Sequence, residues 1–254
     1  MYMRLVQVKV KPERLKEMSS LYDLRVIPAL QQLHNCIYAS LIYSTLHADE
    51  CISLTLWETP EDAEAYEHSG LFQQLVDESK PFLADSSEWR IHLSGDMTVE
   101  YEPVPEEPVV KSYMVATDEQ TLVPAVSSTK SSQLYVRIVS IKIQPGKMEE
   151  FKRLYKSEVL PVILSMRGCR YGYLTEGVKE RNEVISITVW NSKEDADEYE
   201  RSGWFDALKN RVRHTFSELY QWKMKLEHDP HRQARTSEDL TVEGYKIVTG
   251  KSFQ

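Results

Sequence analysis

Apolar and polar positions alternate from the start of the chain. Val6, Val8 and Val10 are separated by Gln7 and Lys9, and Val139, Ile141 and Ile143 by Ser140 and Lys142. A period of two predicts a strand with one aliphatic face. Lys11-Pro12-Glu13 and Gln144-Pro145-Gly146 then turn the chain. Leu15, Met18 and Tyr22, and later Met148, Phe151 and Tyr155, recur at helical spacing and form an apolar stripe. Pro28 and Pro161 fall late in this pattern and should kink or restart the helix, because each removes a backbone donor. Second strands follow through Tyr38 and Tyr171. In the third strand Ile52, Leu54 and Leu56 lie opposite Ser53, Thr55 and Trp57; Ile185, Ile187 and Val189 lie opposite Ser186, Thr188 and Trp190. Thr59 and Ser192 are expected helix N-caps, with Asp62 and Asp195 three residues on, and Gly70 and Gly203 stop or bend the second helix. Fourth strands are expected over Trp89–Leu93 and Trp222–Leu226. The order is β-α-β-β-α-β, the ferredoxin-like split unit.

That order occurs twice. A shift of 133 residues carries Arg4 to Arg137, Cys36 to Cys169, Trp57 to Trp190 and Leu93 to Leu226 without a gap. A register held that long indicates duplication of one folding unit, with too few copies for a solenoid. The fold class expected is therefore α+β, in two tandem ferredoxin-like domains spanning residues 1–117 and 134–254. The Ser/Thr-rich stretch within 118–133 is the expected linker. Val110–Thr117 resembles Val242–Thr249 at a shift of 132. A late strand so far from its domain body suggests an arm that reaches the other copy's sheet.

Bulk composition narrows the function classes. The chain has 254 residues, 41% of them hydrophobic, so it is long enough for two cored domains. Its net charge of −8 and lack of a basic stripe argue against nucleic acid as a partner. No apolar run has the length of a membrane span, and the N-terminus shows no signal core. Three cysteines cannot all pair, which suits a reduced, cytoplasmic setting.

Candidate chemistry gathers around the third strand and the helix after it. Trp57 and Trp190 stand beside small hydroxyl residues, as pocket walls or as core residues anchoring helix to sheet. Ser53 and Ser186 are candidate anchors for a substrate oxygen. Tyr66 and Tyr199, and Tyr38 and Tyr171, are candidate proton donors, although packed tyrosines need no such role. Phe72, Phe205 and Trp204 are read as core or pocket wall. His228-Asp229-Pro230-His231 lacks a distant further ligand and reads as a loop, so no metal site is expected. No phosphate loop, nucleophile elbow or Cys-x-x-Cys pair occurs.

The run Trp-x-[Ser/Thr]-x-Glu-Asp-Ala-x-x-Tyr-x-x-Ser-Gly-x-Phe occurs in each copy after an aliphatic strand. It resembles the antibiotic biosynthesis monooxygenase superfamily, over most of each copy's length. Single domains of that family usually dimerise, their sheets packing into a dimeric α+β barrel. The resemblance thus implies an intramolecular barrel, a pseudo-dimer within one chain that can oligomerise further. It also implies a monooxygenase acting on a small aromatic or quinol-like molecule without a cofactor. Trp57 and Trp190 match the Trp of the polyketide-oxidising members, whose Asn and Tyr positions hold Ser53 and Ser186, and Ala63 and Ala196. Tyr66 and Tyr199 lie one helical turn further on. The first-strand Asn and second-helix His of the haem-degrading members are Val6 and Val139, and Val76 and Lys209, which disfavours haem degradation. The alternatives are a non-catalytic small-molecule binding or stress-response module, and a degenerate haem binder.

Overall fold

The computed structural model describes residues 1–93, 99–105, 109–115, 134–178, 180–217 and 240–253. The first half begins with β1 (Tyr2–Lys9), α1 (Leu15–Leu21) and α2 (Ile27–Gln31). It continues with β2 (Cys36–Ser44), β3 (Glu50–Trp57), α3 (Pro60–His68) and α4 (Leu71–Ser79). Then come β4 (Asp85–Leu93), β5 (Val99–Pro105) and β6 (Val109–Val115). The second half repeats the pattern as β7 (Tyr135–Lys142), α5 (Met148–Leu154), α6 (Leu160–Ser165), β8 (Cys169–Gly177), β9 (Glu183–Trp190), α7 (Lys193–Arg201), α8 (Trp204–Val212) and β10 (Leu240–Ser252).

Eight of these strands close a single barrel in the order β1-β3-β2-β10-β7-β9-β8-β6, with β6 returning to β1. The late strands make the closure. β6 pairs with β1 of its own half and with β8 of the other; β10 pairs with β7 of its own half and with β2 of the other. The arm inferred from the two similar late segments is therefore what joins the halves. Closure leaves no open strand edge in the barrel. β4 stands apart: it forms a two-stranded sheet with β5 rather than joining the barrel. The expected linker, the strand over residues 222–226 and the histidine loop at 228–231 lie outside the described residues.

Strands β1, β3, β7 and β9 bury both faces over most of their length. Met3, Leu5, Ile52, Leu54 and Leu56 fill the interior together with Val136, Ile138, Ile185 and Ile187 of the other half. The opposite face of β1 and β3 carries Val6 and Val8, which pack under the helices with Met18 and Tyr22. The second half builds the same layer from Val139, Ile141, Phe151 and Tyr155.

The helices over the barrel bend where the prolines predict, and the mechanism is visible. Between α1 and α2 the chain widens into a π turn at Tyr22–Val26, in which the Ile27 N–H bonds back to the Tyr22 carbonyl. Tyr155–Val159 does the same, with Leu160 bonding to the Tyr155 carbonyl. Pro28 and Pro161 follow directly, where their lost donors would otherwise break a tighter helix. Thr59 and Ser192 cap α3 and α7 by accepting from the Asp62 and Asp195 N–H groups, each at 3.2 Å. Gly70 and Gly203 adopt φ of 79° and 81°, which a side chain would disfavour, and so turn α3 into α4 and α7 into α8.

Ending the chain at residue 239 would remove β10 and bare the edges of β2 and β7. The truncated protein is expected to self-associate and to lose its single sharp thermal transition, measured by size-exclusion chromatography and circular dichroism. A monomer with the native melting temperature would contradict the closure described here.

Candidate functional site

Antiparallel register decides which side chains share the layer between barrel and helices, because residues directly opposite in a pair project to the same face. Tyr2 stands opposite Trp57, Arg4 opposite Thr55, and Val6 opposite Ser53. The second half repeats this with Tyr135 and Trp190, Arg137 and Thr188, Val139 and Ser186. Covering helices do not fill the middle of this layer. In the first half an apolar pocket with about 600 Å³ of unfilled space, mouth included, is lined by Arg4, Tyr22, Ser53, Tyr66, Phe72 and Val76 among others. The second half has a smaller one, about 420 Å³, lined by Arg137, Tyr155, Ser186, Tyr199, Phe205 and Lys209 among others.

The π turns place one polar pair in each pocket. Tyr22 Oη lies 2.9 Å from Ser53 Oγ and 3.1 Å from the Ser40 carbonyl, to which it donates. Tyr155 Oη lies 2.6 Å from Ser186 Oγ. Neither Tyr66 nor Tyr199 has a hydrogen-bond partner for its hydroxyl among the described residues. Each presents its ring between a tryptophan and a phenylalanine: Tyr66 stacks on Trp57 at 5.3 Å and meets Phe72 edge-on at 5.8 Å. Tyr199 stacks on Trp190 at 5.3 Å and meets Phe205 at 6.2 Å.

Of the residues picked out from sequence, Ser53, Ser186, Tyr66, Tyr199, Phe72 and Phe205 line the two pockets. Trp57 and Trp190 do not: they lie fully buried behind the tyrosines, and each Nε1 donates to Thr55 or Thr188 Oγ1 at 2.9 Å. Tyr38 and Tyr171 face the barrel interior instead, since a bulge after Cys36 and Cys169 brings them opposite Leu56 and Val189. Trp204 stays 41% exposed at the start of α8. Among the described residues no cluster of His, Cys, Asp and Glu is arranged to hold a metal ion.

Sequence reasoning missed Arg4, Arg137, Tyr22 and Tyr155 as pocket residues. Arg4 is 1% exposed, and its guanidinium lies 4.2 Å from the Phe72 ring centre and 5.6 Å from that of Tyr66. Arg137 repeats the stack on Phe205 at 4.3 Å and Tyr199 at 5.6 Å. The signal for both was present: each sits in phase with the aliphatic residues of its strand and recurs at the 133-residue shift.

A model of the antibiotic biosynthesis monooxygenase family matches residues 1–78 and 134–211, once in each half. The chain belongs to the antibiotic biosynthesis monooxygenase family. Both matched segments contain the strands and helices that enclose one pocket. Solved structures of the same fold include a candidate monooxygenase from Fusobacterium nucleatum subsp. nucleatum, at 6% identity and a TM-score of 0.66 over 99% of this chain and 94% of that one. Another is a candidate monooxygenase from Lactobacillus acidophilus, at 8% identity and 0.63, covering 99% and 95%. An anthrone oxidase-like protein follows at 13% identity and 0.59, covering 99% and 92%. No curated protein matches the sequence.

Electrostatics limits what these family-type pockets can do. Burial pushes the phenols of Tyr22, Tyr66 and Tyr199 well above their ordinary value of 10.0, and Tyr155 up to about 12. At neutral pH they serve as hydrogen-bond donors and not as bases. Burial also lowers the pKa of Arg4, an effect opposed by the nearby Glu67 carboxylate.

Burial raises the Cys36, Cys51 and Cys169 thiols from an ordinary 9.0 to about 12. A raised acid favours the fold while it is neutral. That stabilisation is present in full below pH 9 and is lost as pH rises toward 12, because the unfolded thiols ionise first. Urea midpoints are therefore expected to hold steady through neutral pH and to fall steadily above pH 9. A flat profile to pH 11 (roughly two units past the free thiol) would refute this.

Proposed function

We propose that the protein is a cofactor-independent monooxygenase acting on a small aromatic or quinol-like molecule. The observation that carries this reading is the half-open apolar pocket with a tyrosine–serine pair, an unpartnered tyrosine hydroxyl and a buried cation. Membership of the family supports the reaction class. One structural relative is described as anthrone oxidase-like, and an anthrone illustrates the chemistry. Its acidic methylene group loses a proton, and the resulting carbanion supplies electrons to dioxygen. One oxygen atom becomes the carbonyl oxygen of the new ketone. The other leaves as water with the two methylene hydrogens, so the reaction balances without an external reductant.

The pocket residues suit that sequence. Apolar walls exclude water, so a developing oxyanion meets fixed donors instead of solvent. Tyr66 would donate to the substrate oxygen as charge develops there; Ser53, whose own proton goes to Tyr22 Oη, would accept from a substrate hydroxyl, and Tyr199 and Ser186 hold the equivalent positions in the second half. Trp57 and Trp190 would act one layer out, holding the tyrosine rings by stacking. The free thiols Cys36, Cys51 and Cys169 agree with a cytoplasmic location.

An oxygen electrode with a panel of hydroquinones and anthrones tests the reading. Uptake matched by incorporation of one atom of the dioxygen into the product, read by mass spectrometry with labelled dioxygen, is expected in protein treated with chelator. Tyr66→Phe should lower kcat/KM about a hundredfold, the scale seen when one oxyanion donor is removed. Trp57→Phe should cost less, because the indole does not touch the pocket. Ligand binding with no oxygen consumption across the panel would replace this reading with that of a non-catalytic binding module.

A further inference from the structure

Arg4 carries the strongest unmet demand in the described structure. Its side chain is 2% exposed, yet Nε, Nη1 and Nη2 all lack a hydrogen-bond partner among the described residues. Glu67 Oε2 comes within 3.1 Å of Nη2, but without the alignment of a hydrogen bond, and Glu67 is half exposed. A buried guanidinium normally has its five N–H groups answered. Here the guanidinium carbon sits 4.2 Å from the Phe72 ring centre, and Arg4 lines the first pocket.

The second half answers the same demand internally. Arg137 Nε donates to Glu200 Oε1 at 2.7 Å, and of its nitrogens only Nη2 is left buried without a partner. Lys209 stands over Phe205 at 5.3 Å where the first half has Val76. The second pocket is also the smaller.

Resting on the reading of this pocket as the substrate site, we propose that the first-half pocket binds an aromatic carboxylate, its carboxylate held by the fork of Arg4 and its ring by the apolar walls. The second pocket is a structural twin that keeps no ligand. A planar fork with unused parallel donors matches a carboxylate in two-point geometry. A guanidinium in an apolar chamber, with Glu67 beside Nη2, leaves donors for one monoanion and not for a phosphate group, which asks for more.

Calorimetric titration of the full-length chain with 2-naphthoate and its neutral isostere 2-naphthamide tests this. Naphthoate is expected to bind at one site per chain, at least about tenfold more tightly than the amide, the scale of a charge-assisted hydrogen bond. Arg4→Met should abolish the preference and melt no lower than the native chain, because it removes a buried charge with few partners. Arg4→Lys should keep the preference at reduced affinity. Arg25→Gln, which removes a surface charge paired with Glu78, controls for net charge and should bind as the native chain does.

Equal affinity for the two probes, two equivalent sites, no binding at millimolar naphthoate, or a preference that survives Arg4→Met would each overturn the proposal. So would an Arg4→Met chain that fails to fold, since Arg4 would then be structural. Naphthoate is not oxidised, so the two readings fail separately. A chain that selects naphthoate but consumes no oxygen loses the oxygenase reading and keeps this one.

Discussion

The need to bury two faces of the strands β1, β3, β7 and β9 governs this molecule. A strand covered on one side only would read as apolar on alternate residues and polar between them. Here β9 is buried along its whole length, from Glu183 to Trp190. One set of side chains meets the other half inside the barrel, and the other set meets the helices. Neither half can satisfy the first requirement alone, so the late strands β6 and β10 cross over and complete the ring. The pockets arise from the second requirement. Ser53 and Thr55 are too small to fill the space beneath the helices, and Arg4 joins them in lining it.

Much of this was legible in the chain. The repeat, the strand periodicities and the Thr59 and Ser192 caps are local signals, and the structure reproduces them. What periodicity could not supply depended on contacts between distant segments. The Trp89–Leu93 stretch alternates as well as any strand, yet it pairs with β5 outside the barrel. The late strands already occupy the neighbouring positions beside β1 and β2. Pattern places Tyr38 on a strand, but only the bulge decides which face it takes. Pro28 announces a bend and says nothing of its kind. The π turn that absorbs it also sets Tyr22 against Ser53.

The aromatic stack shows why the conspicuous residue of a motif need not be the one that touches a ligand. Trp57 is the largest side chain on its strand face, and burial of its rings anchors α3 to β3. With its Nε1 bonded to Thr55 and its face against Tyr66, it has little freedom left. That immobility passes outward. Tyr66 is gripped between Trp57 and Phe72, and Phe72 in turn supports the guanidinium of Arg4. The polar groups at the pocket thus stand on a chain of packed rings rooted in the sheet. A site built that way keeps its geometry without a ligand, which is what stabilising a short-lived anion requires.

Duplication explains how such a site tolerates a buried cation with so few aligned partners. Taking a cation out of water costs several kcal/mol even after relaxation, and the cost is recovered only with well-aligned partners. Arg137 has one in Glu200, at 2.7 Å. Arg4 has the equivalent acid, Glu67, at a similar distance but not aligned to accept. The two arginines share a fold, a register and an aromatic stack, so packing alone does not account for the difference. A barrel whose second half is better paired can carry strain in the first, because the halves share one hydrophobic interior and unfold at the cost of both. The copy that aligns an acid with its arginine supports the structure, and the copy that does not retains guanidinium donors poised for a ligand.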